Sequence, residues 1–190
     1  MLNKTMIMKT AIVIFLLGVV QLIACSDDDS APTNRIVFVD LHDGKAGYNQ
    51  AFPLDIDEDG VHEFVFNATL MADPIGDHLR FTLVSRLNNE VAGENSNIKV
   101  LSANQPIGST LTFDYDTEVL VIKTTTAEGV TWWGNWQGVQ NRYIGIRFRL
   151  KGTEYYGWLR VSVDQANEHV VIHDMAYSRG DLPAGAIQEP

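Results

Sequence analysis

The chain has 190 residues, with 24 Asp and Glu against 14 Lys and Arg, a formal net charge of −10 and a pI near 4.8. That balance argues against nucleic acid as a partner, because phosphate binding needs a surplus of Lys and Arg. The single cysteine, Cys25, excludes an intramolecular disulfide and a cysteine-based zinc site.

Met1 to Lys9 carries Lys4 and Lys9 and no acid, and Ala11 to Ala24 is apolar apart from Gly18 and Gln21. The run has the length of a secretion-signal core and falls short of the roughly 18 apolar residues of a spanning helix. It ends in Leu22-Ile23-Ala24-Cys25, which resembles a bacterial lipobox. The resemblance implies cleavage before Cys25 and lipidation of its sulfur and new amino group. A buried cysteine on an uncleaved anchor is the other reading. Ser26-Asp27-Asp28-Asp29 resembles the acidic export signal of Bacteroidota lipoproteins, which implies the outer face of the outer membrane. A solvated acidic spacer would look the same. Asp29-Ser30-Ala31 resembles the O-glycosylation triplet of the same phylum, and Ser30 to Asn34 reads as a tether. The expected organisation is a signal peptide over 1–24, a lipidated Cys and acidic tether over 25–34, and one domain over 35–190. Roughly 155 residues suffice for one core.

The body alternates with a period of two. Ile144, Ile146, Phe148 and Leu150 interleave with Tyr143, Gly145, Arg147 and Arg149. Lys151 to Glu154 reads as a turn. Tyr155 to Val163 alternates again, with Leu159, Val161 and Val163 opposite Trp158, Arg160 and Ser162, so the pair predicts a β-hairpin. Further strands are expected at 36–41, 62–70, 79–85, 98–101, 110–113, 119–123 and 169–177, punctuated by Gly, Asn, Asp and Pro. No segment beyond the leader sustains a helical period. The expectation is an all-β, antiparallel two-sheet β-sandwich, jelly-roll-like or with an immunoglobulin-like topology.

One motif carries definite chemistry. Asp55-Ile56-Asp57-Glu58-Asp59-Gly60-Val61-His62-Glu63 fits D-x-D-x-D-G-x-x-[DE]. Calcium takes six to eight hard oxygens, and alternating carboxylates on a tight loop supply them. Asp55, Asp57, Asp59 and Glu63 are the expected side-chain ligands, Val61 a carbonyl ligand, and Gly60 permits the turn. The motif departs from an EF-hand, whose twelfth position is Glu and here is Phe66, and it resembles calcium loops between strands of secreted proteins. An acidic turn that stays solvated is the alternative.

The C-terminal third carries a second resemblance. Arg142 to Phe148, Tyr155 to Val163, Ile172 to Tyr177 and Leu182 to Gly185 follow the order Y-x-G-x-x-F, Y-G-W-x-R, D-x-A-Y and A-G. This is similar to a secreted bacterial β module that also has an Asp-rich loop early on. Met175 and Ser178 depart from that pattern, where Tyr and Glu are usual. The resemblance implies a secreted β domain and no activity. Packing is the expected job of the Tyr-Gly-Trp cluster, with aromatic rings lying across Gly145 and Gly157.

Trp132-Trp133-Gly134-Asn135-Trp136-Gln137-Gly138 is expected to be a loop. Its rings either fold over the open end of the sandwich or form a glycan platform, with Trp132, Trp133 and Trp136 stacking on sugars and Asn135 and Gln137 bonding hydroxyls. No G-x-S-x-G, H-E-x-x-H or phosphate-loop motif occurs. His169 and His173, four apart on a strand, stand about 13 Å apart and do not share a metal. The sequence therefore predicts a non-catalytic surface lipoprotein domain for adhesion or ligand capture, stabilised by calcium. It would be held to the outer membrane through Cys25 and would engage polysaccharide or another surface protein. A glycan-binding module is the alternative, and a small glycoside hydrolase a more distant one.

Overall fold

A computed structural model describes residues 35–94, 97–115 and 118–188. The described residues all belong to one compact unit. The signal peptide, Cys25 and the acidic tether lie outside the described residues. The described chain is all-β. Its strands are β1 Val37–Gly47, β2 Phe52–Leu54, β3 Phe64–Ala72, β4 Asp77–Ser85, β5 Glu90–Glu94, β6 Asn97–Ile98 and β7 Pro106–Ile107. They continue with β8 Phe113–Asp114, β9 Val119–Thr126, β10 Gly129–Trp133, β11 Arg142–Leu150, β12 Thr153–Asp164, β13 His169–Ser178 and β14 Leu182–Pro183.

The predicted hairpin is present as β11 and β12, paired from Arg142↔Val161 to Leu150↔Thr153. The strands form one continuous sheet in the order β1-β13-β12-β11-β5-β6-β9-β4-β3-β2, with β10 added to β9 and β8 to β5. A small second sheet pairs β14 with β7. The sheet is mixed, because β6 runs parallel to β9 at Asn97↔Val119. Strand β5 makes it continuous: it pairs with β11 on one side and with β6 on the other.

The alternation decides what is buried. Phe64, Phe66, Phe81 and Leu83 from β3 and β4 join Ile144, Ile146, Phe148, Leu159, Val161 and Val163 from β11 and β12 in one core. The Phe64 and Phe148 rings meet edge to face at 6.3 Å, a favoured aromatic geometry. The opposite faces of β12 and β13 supply Trp158 and Ala176 to a second core with Leu101, Ile107, Leu182 and Ala184. Trp158 donates its indole N–H to the Ala186 carbonyl at 3.1 Å, and Tyr143 packs edge-on against it at 5.3 Å.

These contacts give the C-terminal motifs a packing role. A Cβ on Gly145 would crowd Ala92, Leu111 and Leu101, and one on Gly157 the Ala176 carbonyl oxygen, Tyr177 Cβ and Ile146. Both glycines are thus covered mostly by aliphatic groups and backbone, which corrects the expected aromatic cover. The ring-over-glycine contact occurs instead at Gly185, where φ is +85° and a Cβ would lie 2.7 Å from the Tyr143 hydroxyl.

Candidate metal centre

Strands β2 and β3 pair at Leu54↔Phe64, so Asp55 to Glu63 is the loop of a hairpin. Buried Leu54 and Ile56 pin one side of it to the core. The acidic stretch is wound by its own side chains. Asp55 accepts N–H bonds from Asp59 at 3.1 Å and from Gly60 at 2.8 Å, and Asp59 accepts the Val61 N–H at 2.8 Å. Gly60 sits at φ +87°, which a side chain would strain. This winding brings one carboxylate oxygen from each of Asp55, Asp57 and Asp59 within 4.8 Å of one another.

Like charges at such a spacing repel by about 1 kcal/mol per pair in water, and more where solvent is partly excluded. The structure opposes this weakly. Lys151, from the β11–β12 turn, places its ammonium 3.7 Å from Asp57 Oδ2 but is itself exposed. The other oxygen, Asp57 Oδ1, is buried without a hydrogen-bond partner. A buried, unpaired carboxylate oxygen costs about 1–3 kcal/mol or more, and a hard cation is the species that would satisfy it. The donor set of carboxylate oxygens fits calcium or magnesium chemistry, not zinc or copper. Burial above all, with Tyr155 and Asp57 beside it, pushes the Tyr177 phenol above its ordinary pKa of 10.0.

Of the expected ligands, Asp55, Asp57 and Asp59 converge. Val61 is exposed, and its N–H closes the turn. Glu63 is 3% exposed, and its carboxylate accepts the Ile56 N–H at 2.7 Å. Burial raises the Glu63 pKa above its ordinary 4.5, the charges of Asp57 and Asp55 push the same way, and backbone N–H bonds oppose them. A carboxyl with a raised folded pKa stabilises the fold fully below its unfolded pKa. That contribution is lost as pH rises through the folded value. We therefore expect Glu63→Gln to remove a loss of stability on the alkaline side of pH 4.5, with Gln Oε1 still accepting the Ile56 N–H. Asp43, Asp73 and Asp164, held low chiefly by hydrogen bonds, work in the opposite direction. The check is thus the difference between the wild-type and Glu63→Gln unfolding curves from pH 4 to 8. A flat difference would show that Glu63 is not the buried acid described.

The tryptophan segment is not the expected loop throughout, because Trp132 and Trp133 belong to β10, paired with Lys123 and Ile122 of β9. Trp132 stacks on Phe81 at 5.8 Å. Trp136 is fully buried and donates its indole N–H to the Ile98 carbonyl at 3.1 Å, a carbonyl that also takes the Asn135 amide at 3.5 Å. Trp133 alone of the three rings is exposed, at 52%. Comparison with protein-family models, with curated proteins and with solved structures yields no match.

Proposed function

We propose that this chain is a lipid-anchored bacterial surface domain that works by adhesion or ligand capture, with its β2–β3 hairpin stiffened by one calcium ion. The observation that carries the calcium reading is Asp57 Oδ1, buried and unpartnered beside the carboxylates of Asp55 and Asp59. In this reading the three aspartates hold the ion, Val61 offers its carbonyl, and water completes the shell. The ion supplies no chemistry beyond charge neutralisation and rigidity. It fixes the loop against the Lys151 turn and relieves the repulsion among the acids.

Thermal unfolding of the chain with excess EGTA and with 2 mM calcium tests this. A site with a Kd of ~0.1 mM stabilises by about 1.8 kcal/mol, or about 4–7 °C at this size. Asp57→Ala should abolish the shift. No shift in the wild type would leave the loop an acidic turn. The anchor rests on Leu22 to Cys25 and Ser26 to Asp29. Cys25→Ser is expected to abolish incorporation of labelled fatty acid into the chain, because it removes the only atom able to carry the thioether-linked lipid. Wild-type chain that takes up no label would count against the lipid anchor.

A further inference from the structure

A second polar cluster lies on the faces of β12 and β13 turned away from the main core, where Ser162 is 4% exposed and Asp43 of β1 is exposed. Ser162 projects from β12 opposite the core-facing Val161 and Val163. Its hydroxyl is 2.8 Å from Nε2 of His173 on β13. The other ring nitrogen, His173 Nδ1, is 2.5 Å from Oδ1 of Asp43 on β1. The tautomer follows from the partners. In the neutral ring the proton on Nδ1 faces the carboxylate, and Nε2 is then the acceptor for the serine hydroxyl proton.

The backbone holds this arrangement at some expense. The β1–β13 register slips between Asp40 and Gly44, and His42 and Asp43 stand at φ 55° and 51° within the bulge. Two successive non-glycine residues in the left-handed region are strained, and such strain concentrates at functional sites. Gly44 closes the bulge under Phe52, whose ring would meet a Cβ at 2.1 Å. The Asn141 N–H bonds Ser162 Oγ at 2.9 Å and fixes its rotamer. Ser162 and His173 line a cleft of about 450 Å³ together with Gln140, Asn141, Asp164 and Gln165.

We propose that Ser162, His173 and Asp43 form a nucleophilic triad that hydrolyses an uncharged carboxylic ester bound in this cleft. Serine, base and orienting acid stand in the order that acyl transfer requires, although they come from three strands and follow no sequence motif. In the first step Ser162 Oγ bonds to the acyl carbon while its proton passes to His173 Nε2 and the carbonyl electron pair moves to oxygen. Collapse of that intermediate expels the alcohol, which takes the proton from Nε2. Water then attacks the acyl-serine with His173 as base, releasing the carboxylic acid and restoring the hydroxyl. Asp43 touches no reacting atom. It is a positioning residue that holds the ring and balances the imidazolium charge. Asp164 at the rim and the acidic chain disfavour anionic esters.

The test uses the full chain with a fluorophosphonate probe, followed by peptide mass spectrometry, and p-nitrophenyl acetate as substrate. The expected result is stoichiometric labelling at Ser162, and ester hydrolysis that falls about 10²–10⁴-fold in Ser162→Ala and in His173→Gln. Asp43→Asn should lower the labelling rate, with partial rescue by Asp43→Glu. The wild-type labelling needs no variant to fold. Absence of labelling, labelling at another residue, or hydrolysis unchanged in Ser162→Ala would each overturn the triad.

Discussion

Trp136→Ala is expected to destabilise the domain by about 3–5 kcal/mol, the range for removing a large ring from a packed core. Trp136 is fully buried, and its loss would open a cavity in the main core. It would also take away the 3.1 Å indole bond to the Ile98 carbonyl, which keeps the longer 3.5 Å Asn135 amide. At about 2–4 °C per kcal/mol the melting temperature should fall by about 10 °C. Trp136→Phe separates the two contributions. It fills most of the space and removes only the N–H, so about 1–2 kcal/mol should be lost. Thermal or denaturant unfolding of both variants decides the matter. An alanine variant within 1 kcal/mol of wild type would mean that the ring is not in the core and that its face is free for a ligand.

Gly134→Ala should cost about 3 kcal/mol, although it adds a single methyl group. Gly134 sits at φ +121°, a conformation that side chains avoid, and its Cβ would lie 2.8 Å from the Leu120 carbonyl oxygen and 3.1 Å from Val121 Cα. Those obstacles are backbone of β9, so no rotamer change relieves them. The same glycine turns the chain from β10 down to Trp136, and the Trp136 N–H reaches the Leu120 carbonyl at 3.3 Å. The two substitutions are close enough to couple, so the double variant should lose less than the sum of the two. Gly129→Ala is the comparison. It also has positive φ but meets nothing within 4 Å, so its cost should be the backbone strain alone.

The elements most legible in the sequence are those with one face in the core. The β11–β12 hairpin alternates cleanly because Ile144, Ile146 and Phe148 face the main core and Tyr143, Arg147 and Arg149 do not. Strand β5 is not legible because its five residues hold a single large apolar side chain, Val91. Val91 belongs to the main core while Ala92 lies against Gly145, and Glu90 is spent on Arg147. Strand β10 is hidden because Gly129, Val130, Thr131 and Trp133 are exposed and only Trp132 turns inward. In β1 the bulge at Asp40 to Gly44 breaks the period, so the strand continues to Gly47 beyond its expected end at Leu41.

The acidic loop is legible in its spacing, because its ligands lie within one hairpin turn. What spacing does not reveal is that Glu63 is drawn inward by the Ile56 N–H and that Asp57 Oδ1 is left unpaired. Ser162, His173 and Asp43 leave no local signature, because β12, β13 and the β1 bulge come together only in the finished sheet.

The pairing of β1 with β13 has a further consequence, for synthesis. Val37 finds Tyr177, and Gly47 finds His169, only when nearly the whole chain is present. β1 therefore emerges first and waits longest. Its partner strand also carries Met175 and Ile172 into the main core, so that core closes late. Such long-range pairing is slow to form and leaves an unpaired edge exposed in the interval. The bulge and the exposed charges of Asp40, Asp43 and Lys45 interrupt that edge and keep it from templating aggregation while the C-terminal strands arrive.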